Sequence, residues 1–135
     1  MKKRIKKGFT LVELLVVIAI LAILASVTVV GYSAFTQKAK DSVAQQELTQ
    51  IHNYLYAEDI NNDDFAFTTK GIEFAGDYAD DTAEEKAAYL AGKLEAGAFA
   101  GELSVVVNAE GVVTKLVYEF KSGSNQGGKA EVSVK

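Results

Sequence analysis

One uncharged run constrains this sequence most: no side chain from Leu14 to Gln37 carries a charge. At about 1.5 Å of rise per residue, a helix over this run is roughly 36 Å long, enough to cross a hydrocarbon core of about 30 Å. The sequence contains no proline, so the residue type that most strongly breaks helices does not interrupt the run. The sequence therefore predicts a membrane-spanning helix near its start.

The charges on either side of this run predict its orientation. Five basic side chains and no acidic one precede Gly8, namely Lys2, Lys3, Arg4, Lys6 and Lys7. Basic residues favour the cytoplasmic side of a span, so we expect the N-terminus in the cytoplasm and the later chain outside. Beyond Gly8 there are nine basic and eighteen acidic side chains, a balance of −9. This acidic balance argues against a nucleic-acid or anionic-lipid surface on the main body.

A secretory signal peptide has a similar order of segments: a basic start, an apolar stretch and small residues, here near Ala25 and Ser26. Two features weigh against it. The apolar run exceeds the usual length of about 7–15 residues, and Glu13 lies inside its basic end. Helical patterning also continues beyond the candidate cleavage site instead of ending there.

The later part of the helix is amphipathic instead of apolar all round. Its apolar residues recur at helical spacing on one stripe, formed by Ala44, Leu48, Ile51 and Leu55. The sequence predicts one helix from about Thr10 to about Tyr56. Its weakest helical points are Thr28 and Gly31, where local loosening is expected first.

The segment from Lys6 to Glu13 resembles the class III signal motif of type IV pilins and of type II secretion pseudopilins. It reads Lys-Lys-Gly-Phe-Thr-Leu-Val-Glu and leads directly into the long apolar helix. The resemblance implies that a prepilin peptidase cleaves after Gly8, and that Phe9 becomes an N-methylated terminus. It also implies that the Glu13 carboxylate pairs with the N-terminal amine of Phe9 in a neighbouring subunit during assembly.

The physics of a carboxylate in an apolar run agrees with that role for Glu13. In a low dielectric the charged form is strongly disfavoured unless a cation lies beside it. The alternative is that the Glu13 side chain reaches the membrane interface and has only its own α-amine nearby. The resemblance, which covers about the first fifty residues, implies a cleaved leader over 1–8, a membrane-spanning and assembly half of the helix over 9–37, and a globular head over 38–135.

The head begins with a polar stretch, 57–65, that predicts a solvated loop and the end of the long helix. Asp59, Asn61 and Asp63 alternate as in a calcium-binding loop. However, the sixth position of that pattern is not glycine and the twelfth is Lys70 instead of glutamate. We therefore expect a solvated loop without a metal site, with calcium binding as the minor alternative, and no cofactor.

A short helix and three strands are predicted in the rest of the head. The helix begins with a capping box, Thr82 with Glu85, and is expected to stop at Gly97 with an exposed face of Glu and Lys side chains. Its apolar stripe comprises Ala83, Ala87, Leu90 and Leu94. Alternating apolar residues then predict strands over 103–107, 112–120 and 129–135, with a flexible loop from Lys121 to Gly128.

Such a sheet needs cover on one face, and the apolar stripe of the long helix can supply it. The expected fold class is therefore α+β, a pilin-like lollipop in which the long N-terminal helix packs on a small antiparallel three-stranded sheet with one extra short helix.

No catalytic constellation is evident, so an enzyme is not expected. His52 is the sole histidine and is predicted to face the polar side of the helix, and cysteine is absent. Ser104 and Ser122 have no identifiable base. The aromatic residues of the long helix are expected to pack in a core: Phe9, Tyr32, Phe35, Tyr54 and Tyr56.

The leading hypothesis is a structural subunit of a type IV pilus. It is expected in the cytoplasmic membrane as a precursor and in a cell-surface filament after cleavage and polymerisation. The partners implied by the resemblance are other copies of the chain in a helical homopolymer, the prepilin peptidase, the assembly platform and minor pilins. Two alternatives stay open: a major pseudopilin of a type II secretion or competence system, and a membrane-anchored binding protein that never polymerises.

Overall fold

The computed structural model describes residues 8–60, 63–94 and 98–134. Its elements in chain order are α1 Leu11–Asp59, β1 Phe65–Thr68, β2 Gly71–Phe74, a 3₁₀ turn Gly76–Tyr78, α2 Ala83–Lys93, β3 Glu102–Val107, β4 Val113–Glu119 and β5 Lys129–Ser133. This confirms the α+β class with one long and one short helix. The basic leader residues, Asn61 and Lys135 lie outside the described residues, so the predictions made on them are not tested. Gly97 also lies outside them, but α2 ends at Lys93, earlier than the predicted stop at Gly97.

Helix α1 runs unbroken for 49 residues and ends three residues beyond the predicted Tyr56. Thr28 and Gly31 do not interrupt it. The chain divides into two compact units between Thr36 and Gln37. The first unit contains the apolar start of α1, and the second contains the rest of α1, the sheet and α2.

The core of the second unit is built on the predicted stripe of α1. All four stripe residues are fully buried: Ala44, Leu48, Ile51 and Leu55. They form one apolar cluster with residues from the sheet and from α2, including Ile72, Leu90 and Leu116. Complete burial of one such aliphatic side chain contributes about 1.5–3 kcal/mol. The amphipathic half of α1 therefore supplies the cover that the sheet needs.

The sheet is antiparallel and β4 is its central strand. One edge of β4 pairs with β3, from Glu102 opposite Glu119 to Val106 opposite Lys115. The other edge is shared between β2 near the start of β4 and β5 along its end. All three strands predicted after α2 are confirmed.

The sheet has two more strands than predicted, because β1 and β2 form a hairpin where no strand was expected. Each has four residues, and the Thr69-Lys70 turn between them lacks the Gly or Asn that usually signals a tight hairpin. The hairpin joins the sheet where Gly71 passes β4. A Cβ at Gly71 would lie 2.2 Å from the carbonyl oxygen of Val113, so glycine permits this approach.

Helix α2 begins with the predicted capping box, because the Thr82 hydroxyl accepts from the Glu85 N–H and the Glu85 carboxylate accepts from the Thr82 N–H. The prediction that its Lys side chains are exposed is wrong for Lys86, which is buried. Its Nζ donates to the carbonyl oxygens of Ala79 and Gly111, at 2.9 Å each. Two fixed carbonyl acceptors replace part of the hydration that a buried ammonium loses.

The loop from Lys121 to Gly128, predicted to be flexible, is held against the second part of α1. Three hydrogen bonds join this region to the helix: Gln37 Nε2 to Gly127 O at 2.8 Å, Lys40 Nζ to Gln126 O at 3.0 Å, and Lys129 N to Asp41 Oδ1 at 3.0 Å. Internal backbone bonds also close the loop, including Gly127 N to Phe120 O at 2.9 Å. The loop is therefore a docked part of the head.

Substitution of Gly128 tests whether the loop is docked on α1. A Cβ there would lie 2.7 Å from the Lys40 carbonyl oxygen of α1, so Gly128→Ala must displace backbone and is expected to cost about 1–3 kcal/mol. The matched control is Gly92→Ala in α2, where a Cβ meets no atom within 4 Å and helix propensity favours alanine by up to about 1 kcal/mol. Denaturation of the full chain in detergent measures both. Equal stability of Gly128→Ala and the unmodified protein would contradict the docking.

The capping box predicts a pH dependence. Hydrogen bonds from the Thr82 backbone and hydroxyl lower the pKa of Glu85 below its ordinary value. Its stabilising contribution is therefore complete above the ordinary glutamate pKa of about 4.3 and is lost as the pH falls through the lowered folded-state pKa. Between pH 6 and pH 3, the midpoint temperature of thermal unfolding should fall less for Glu85→Gln than for the unmodified chain. A Glu84→Gln control should behave like the unmodified chain.

Candidate assembly site at the start of the long helix

The residues around the predicted cleavage position precede the helix. Gly8, Phe9 and Thr10 are non-helical and exposed, and α1 begins at Leu11. The Phe9 ring is 94% exposed, and a Cβ added at Gly8 would meet no atom within 4 Å. The peptide bond between Gly8 and Phe9 therefore lies in an open segment of backbone.

Within one chain, Glu13 already has a partner. Its Oε2 accepts from the Thr10 N–H at 2.9 Å, while the Thr10 hydroxyl accepts from the Glu13 N–H at 3.2 Å. This reciprocal pair is a capping box that satisfies two backbone donors at the start of α1. Thr10 is a site residue that sequence reasoning missed, although the Thr-x-x-Glu signature used for α2 also identifies this cap.

Apolar side chains neighbour Glu13 on the exposed surface of the helix. They are those of Phe9, Val12, Leu14, Val16 and Val17. All these side chains are exposed. A carboxylate on such an exposed apolar surface can accept a cation from another molecule without any rearrangement of its own helix.

The exposure extends from residue 8 to residue 35, where every side chain is exposed. Hydroxyl groups in this stretch bond to backbone carbonyls one turn earlier: Ser26 to Ile23 at 2.7 Å, Thr28 to Ala25 at 3.0 Å, and Ser33 to Val30 at 3.0 Å. Their polar atoms are thus satisfied within the helix. These serine and threonine side chains can therefore meet lipid or another apolar surface without unpaired hydroxyls.

Helix α1 is long and apolar enough to cross a membrane by length and composition. Its most apolar window has a mean hydropathy of 3.0, and none of that window is buried within the chain. The first unit therefore lacks the intramolecular cover that the core helix of a soluble protein has.

The prediction that the aromatic residues of α1 pack in a core is wrong. Phe9, Tyr32 and Phe35 are exposed in the first unit. In the second unit Tyr54 and Tyr56 are also exposed, although the Tyr56 ring meets Phe67 edge-on at 5.3 Å. The spacing of aromatic residues along one helix did not reveal which of them the sheet covers.

The other candidates from the sequence have ordinary structural contacts. His52 is half-buried and meets the Phe67 ring edge-on at 5.5 Å, so the prediction that it faces the polar side of the helix is wrong. Ser104 bonds to the Val117 carbonyl at 3.5 Å, and Ser122 is exposed. Asp59 accepts from the Phe67 N–H at 3.3 Å. Over 8–60, 63–94 and 98–134, no group of three or more His, Asp or Glu side chains could hold a metal.

A polar network in the head was also missed by sequence reasoning. The Tyr118 hydroxyl donates to Glu47 of α1 and accepts from the Gly101 N–H. Burial, together with the bond to Glu47, raises the pKa of Tyr118 well above the usual tyrosine range, so its hydroxyl stays protonated. A Cβ at Gly101 would lie 2.5 Å from the Tyr118 ring, so glycine lets the backbone approach this tyrosine.

Comparison with known proteins finds similarity at the N-terminal segment. Residues 3–29, which include Gly8, Phe9, Thr10 and Glu13, match a family model described as the prokaryotic N-terminal methylation motif. The chain is therefore similar to type IV pilins and type II secretion pseudopilins. No solved structure matches the chain significantly. The motif and the exposed apolar helix together indicate that this chain is anchored in a membrane through its N-terminal segment.

Curated relatives of this chain include both pilus and secretion proteins. Type II secretion system core protein G of Aeromonas hydrophila is 36% identical over 73 residues, covering 54% of this chain and 51% of that protein. Type IV wide pilus major component PilA4 of Thermus thermophilus is 46% identical over 59 residues, covering 37% of this chain and 45% of that protein. Core protein G of Escherichia coli is 32% identical over 68 residues, covering 50% of this chain and 47% of that protein. The chain spans about half the length of these relatives.

Proposed function

We propose that this chain is the structural subunit of a type IV pilus, held in the membrane as a precursor, cleaved after Gly8 and polymerised through α1. The observation that carries the proposal is the fully exposed apolar half of α1 with a single carboxylate at its start. An exposed surface of this kind needs either lipid or other copies of the same helix. A structural subunit uses both in turn, which is the role of this family.

In this proposal, assembly replaces lipid around α1 by the α1 helices of other copies. Lipid tails are as apolar as leucine, so the exchange gains little from the hydrophobic effect and depends on close packing and on polar pairs. Because the hydroxyls of Ser26, Thr28 and Ser33 are already satisfied, they do not compete for partners. Glu13 is then the one charged group that can set the register of the helices.

Pairing of Glu13 with the N-terminal amine of Phe9 in another copy explains how that register is selected. Glu13 Oε2 caps its own helix, and over the described residues Oε1 has no hydrogen bond or ion pair. Cleavage after Gly8 would create the matching cation. A charged side chain without a partner costs about 2.5–3.5 kcal/mol at the centre of a span on insertion scales, so a shifted register is disfavoured.

The proposal includes the partners and the location expected of such a subunit. The precursor has its N-terminus in the cytoplasm, where a prepilin peptidase cleaves it and Phe9 is N-methylated. The leader occupies 1–8, the assembly half of the helix 9–37 and the head 38–135. An assembly platform and minor pilins then incorporate the subunit into a helical homopolymer at the cell surface. The exposed, non-helical Gly8–Phe9 segment supports this assignment of the cleavage position.

Gly8→Asp is expected to block processing. A Cβ at Gly8 meets no atom of the chain, so the substitution acts at the peptidase and not through folding. Gly31→Ala is the matched control, because a Cβ there also meets no atom within 4 Å. Intact mass of the membrane fraction should show an uncleaved chain for Gly8→Asp and a chain starting at methylated Phe9 for the control. Normal cleavage of Gly8→Asp would count against the assigned position.

Glu13→Gln separates the two roles of this side chain. Glutamine retains an acceptor for the Thr10 N–H but has no charge, whereas Glu13→Ala loses both. Both variants are expected to insert and to be processed, and both should lower the yield of sheared filaments about tenfold or more, since about 1.4 kcal/mol corresponds to tenfold in an equilibrium constant.

The matched control for this experiment is Glu58→Gln, the same change in the second unit of the same helix. Its filament yield should equal that of the unmodified chain. Normal filament yield from Glu13→Gln would show that the charge has no role in assembly. Normal yield from Glu13→Ala as well would remove Glu13 from the mechanism.

A pseudopilus subunit is the second candidate function, supported by the 36% identity to core protein G of Aeromonas hydrophila. Both candidates use the same cleavage and the same helix, so the location of the filament distinguishes them. Long sheared surface filaments of the mature chain support the pilus. Retention of the mature chain in the envelope, together with loss of protein secretion when the chain is deleted, supports the pseudopilus.

A further inference from the structure

Two aromatic side chains of the first unit have no role in the proposed helix register. Tyr32 and Phe35 are each 71% exposed. Over the part of the chain that the structure describes, neither ring contacts another ring and the Tyr32 hydroxyl has no hydrogen bond. By contrast, six aromatic side chains of the second unit form one connected cluster, in which Phe65, for example, meets Tyr89. The exposure of Tyr32 and Phe35 therefore indicates that these rings contact something other than the rest of their own chain.

The position of this pair along α1 matches the thickness of a bilayer. Nineteen residue steps separate Glu13 from Tyr32. In one continuous helix this corresponds to about 28 Å, close to the hydrocarbon thickness of about 30 Å. When the Tyr32 ring lies at one interface, the Glu13 carboxylate lies at the other and not in the hydrocarbon.

The chemistry between these two positions agrees with the spacing. From Leu14 to Val30 there is no charged and no aromatic side chain, so this stretch has no group that prefers the interface. Tyrosine and other aromatic rings are enriched at both interfaces of a bilayer, where a polar tip meets headgroups and water. Tyr32 and Phe35 are the first aromatic residues beyond the aliphatic stretch, and the next charged side chain in sequence is Lys38.

We propose that Tyr32 and Phe35 form an interfacial anchor for the precursor, seated among the headgroups of the outer leaflet. The anchor fixes the depth of the span and so keeps Glu13 at the inner interface, where its carboxylate stays hydrated until assembly. This inference rests on the membrane-held precursor of the proposed function. It assigns to the pair a lipid partner and not a second copy of the chain.

Tryptophan fluorescence tests the anchor directly, because the chain contains no tryptophan. The full chain carrying Tyr32→Trp or Ile23→Trp is reconstituted at low protein density into phosphatidylcholine vesicles. The vesicles contain lipid brominated either near the headgroup or near the chain end. Tyr32→Trp should be quenched more by the shallow bromine and Ile23→Trp, near the midpoint of the span, more by the deep bromine. Stronger deep quenching of Tyr32→Trp would overturn the proposal.

A second variant tests whether Tyr32 and Phe35 fix the depth of the helix in the bilayer. Adding Tyr32→Ala and Phe35→Ala to Ile23→Trp should raise its shallow-to-deep quenching ratio, because any displacement of an unanchored helix moves a central probe away from the midplane. Val29→Ala with Val30→Ala removes apolar area without removing a ring and should leave the ratio unchanged. An unchanged ratio in the anchor variant would overturn the proposal.

Protein density distinguishes lipid from a second copy of the chain as the occupant. If the rings pack between copies, quenching of Tyr32→Trp by both lipids falls as the protein-to-lipid ratio rises, and the anchor assignment is overturned. Density-independent shallow quenching supports the anchor. The vesicles contain no assembly machinery, so these results stand apart from filament yield. Failure of the anchor leaves the Glu13 mechanism intact, and failure of Glu13→Gln to affect filaments leaves the depth measurement valid.

Discussion

Burial of one stripe of α1 is the interaction on which the head depends. Ala44, Leu48, Ile51 and Leu55 are fully buried, and they join the apolar faces of the sheet and of α2 in one cluster. Strands of four to seven residues are marginal without such cover. Because the same helix continues towards the N-terminus with no polar interruption, the residues that stabilise the head also carry the exposed apolar segment.

The first unit has almost no unsatisfied polar group to hinder transfer between lipid and protein. Its serine and threonine hydroxyls bond to the helix backbone, and Thr10 and Glu13 cap the first turn. One carboxylate on an exposed apolar surface is then the group that can discriminate between registers. The proposed function and the proposed anchor both depend on this arrangement, since each concerns where the single charge lies relative to an apolar environment.

Sequence patterns succeeded where the signal is local and failed where it depends on distant contacts. The α1 stripe, the Thr82–Glu85 capping box and the three later strands follow from periodicity and capping chemistry. The β1–β2 hairpin was missed because its strands are short and its turn has no glycine or asparagine. Lys86 was placed on an exposed face because its two carbonyl partners come from turns that helix periodicity does not describe.

By itself the sequence determined the N-terminal methylation motif, the apolar length of the first unit, the amphipathic change after it and the acidic balance of the chain beyond Gly8. These follow from residue types at short spacing. Only the tertiary structure decided which aromatic rings are covered, how Gly128 docks on α1, and that Tyr118 links Gly101 to Glu47. Those outcomes depend on the meeting of segments far apart in the chain, where the fit of one backbone against another decides which side chains are buried and which donors find acceptors.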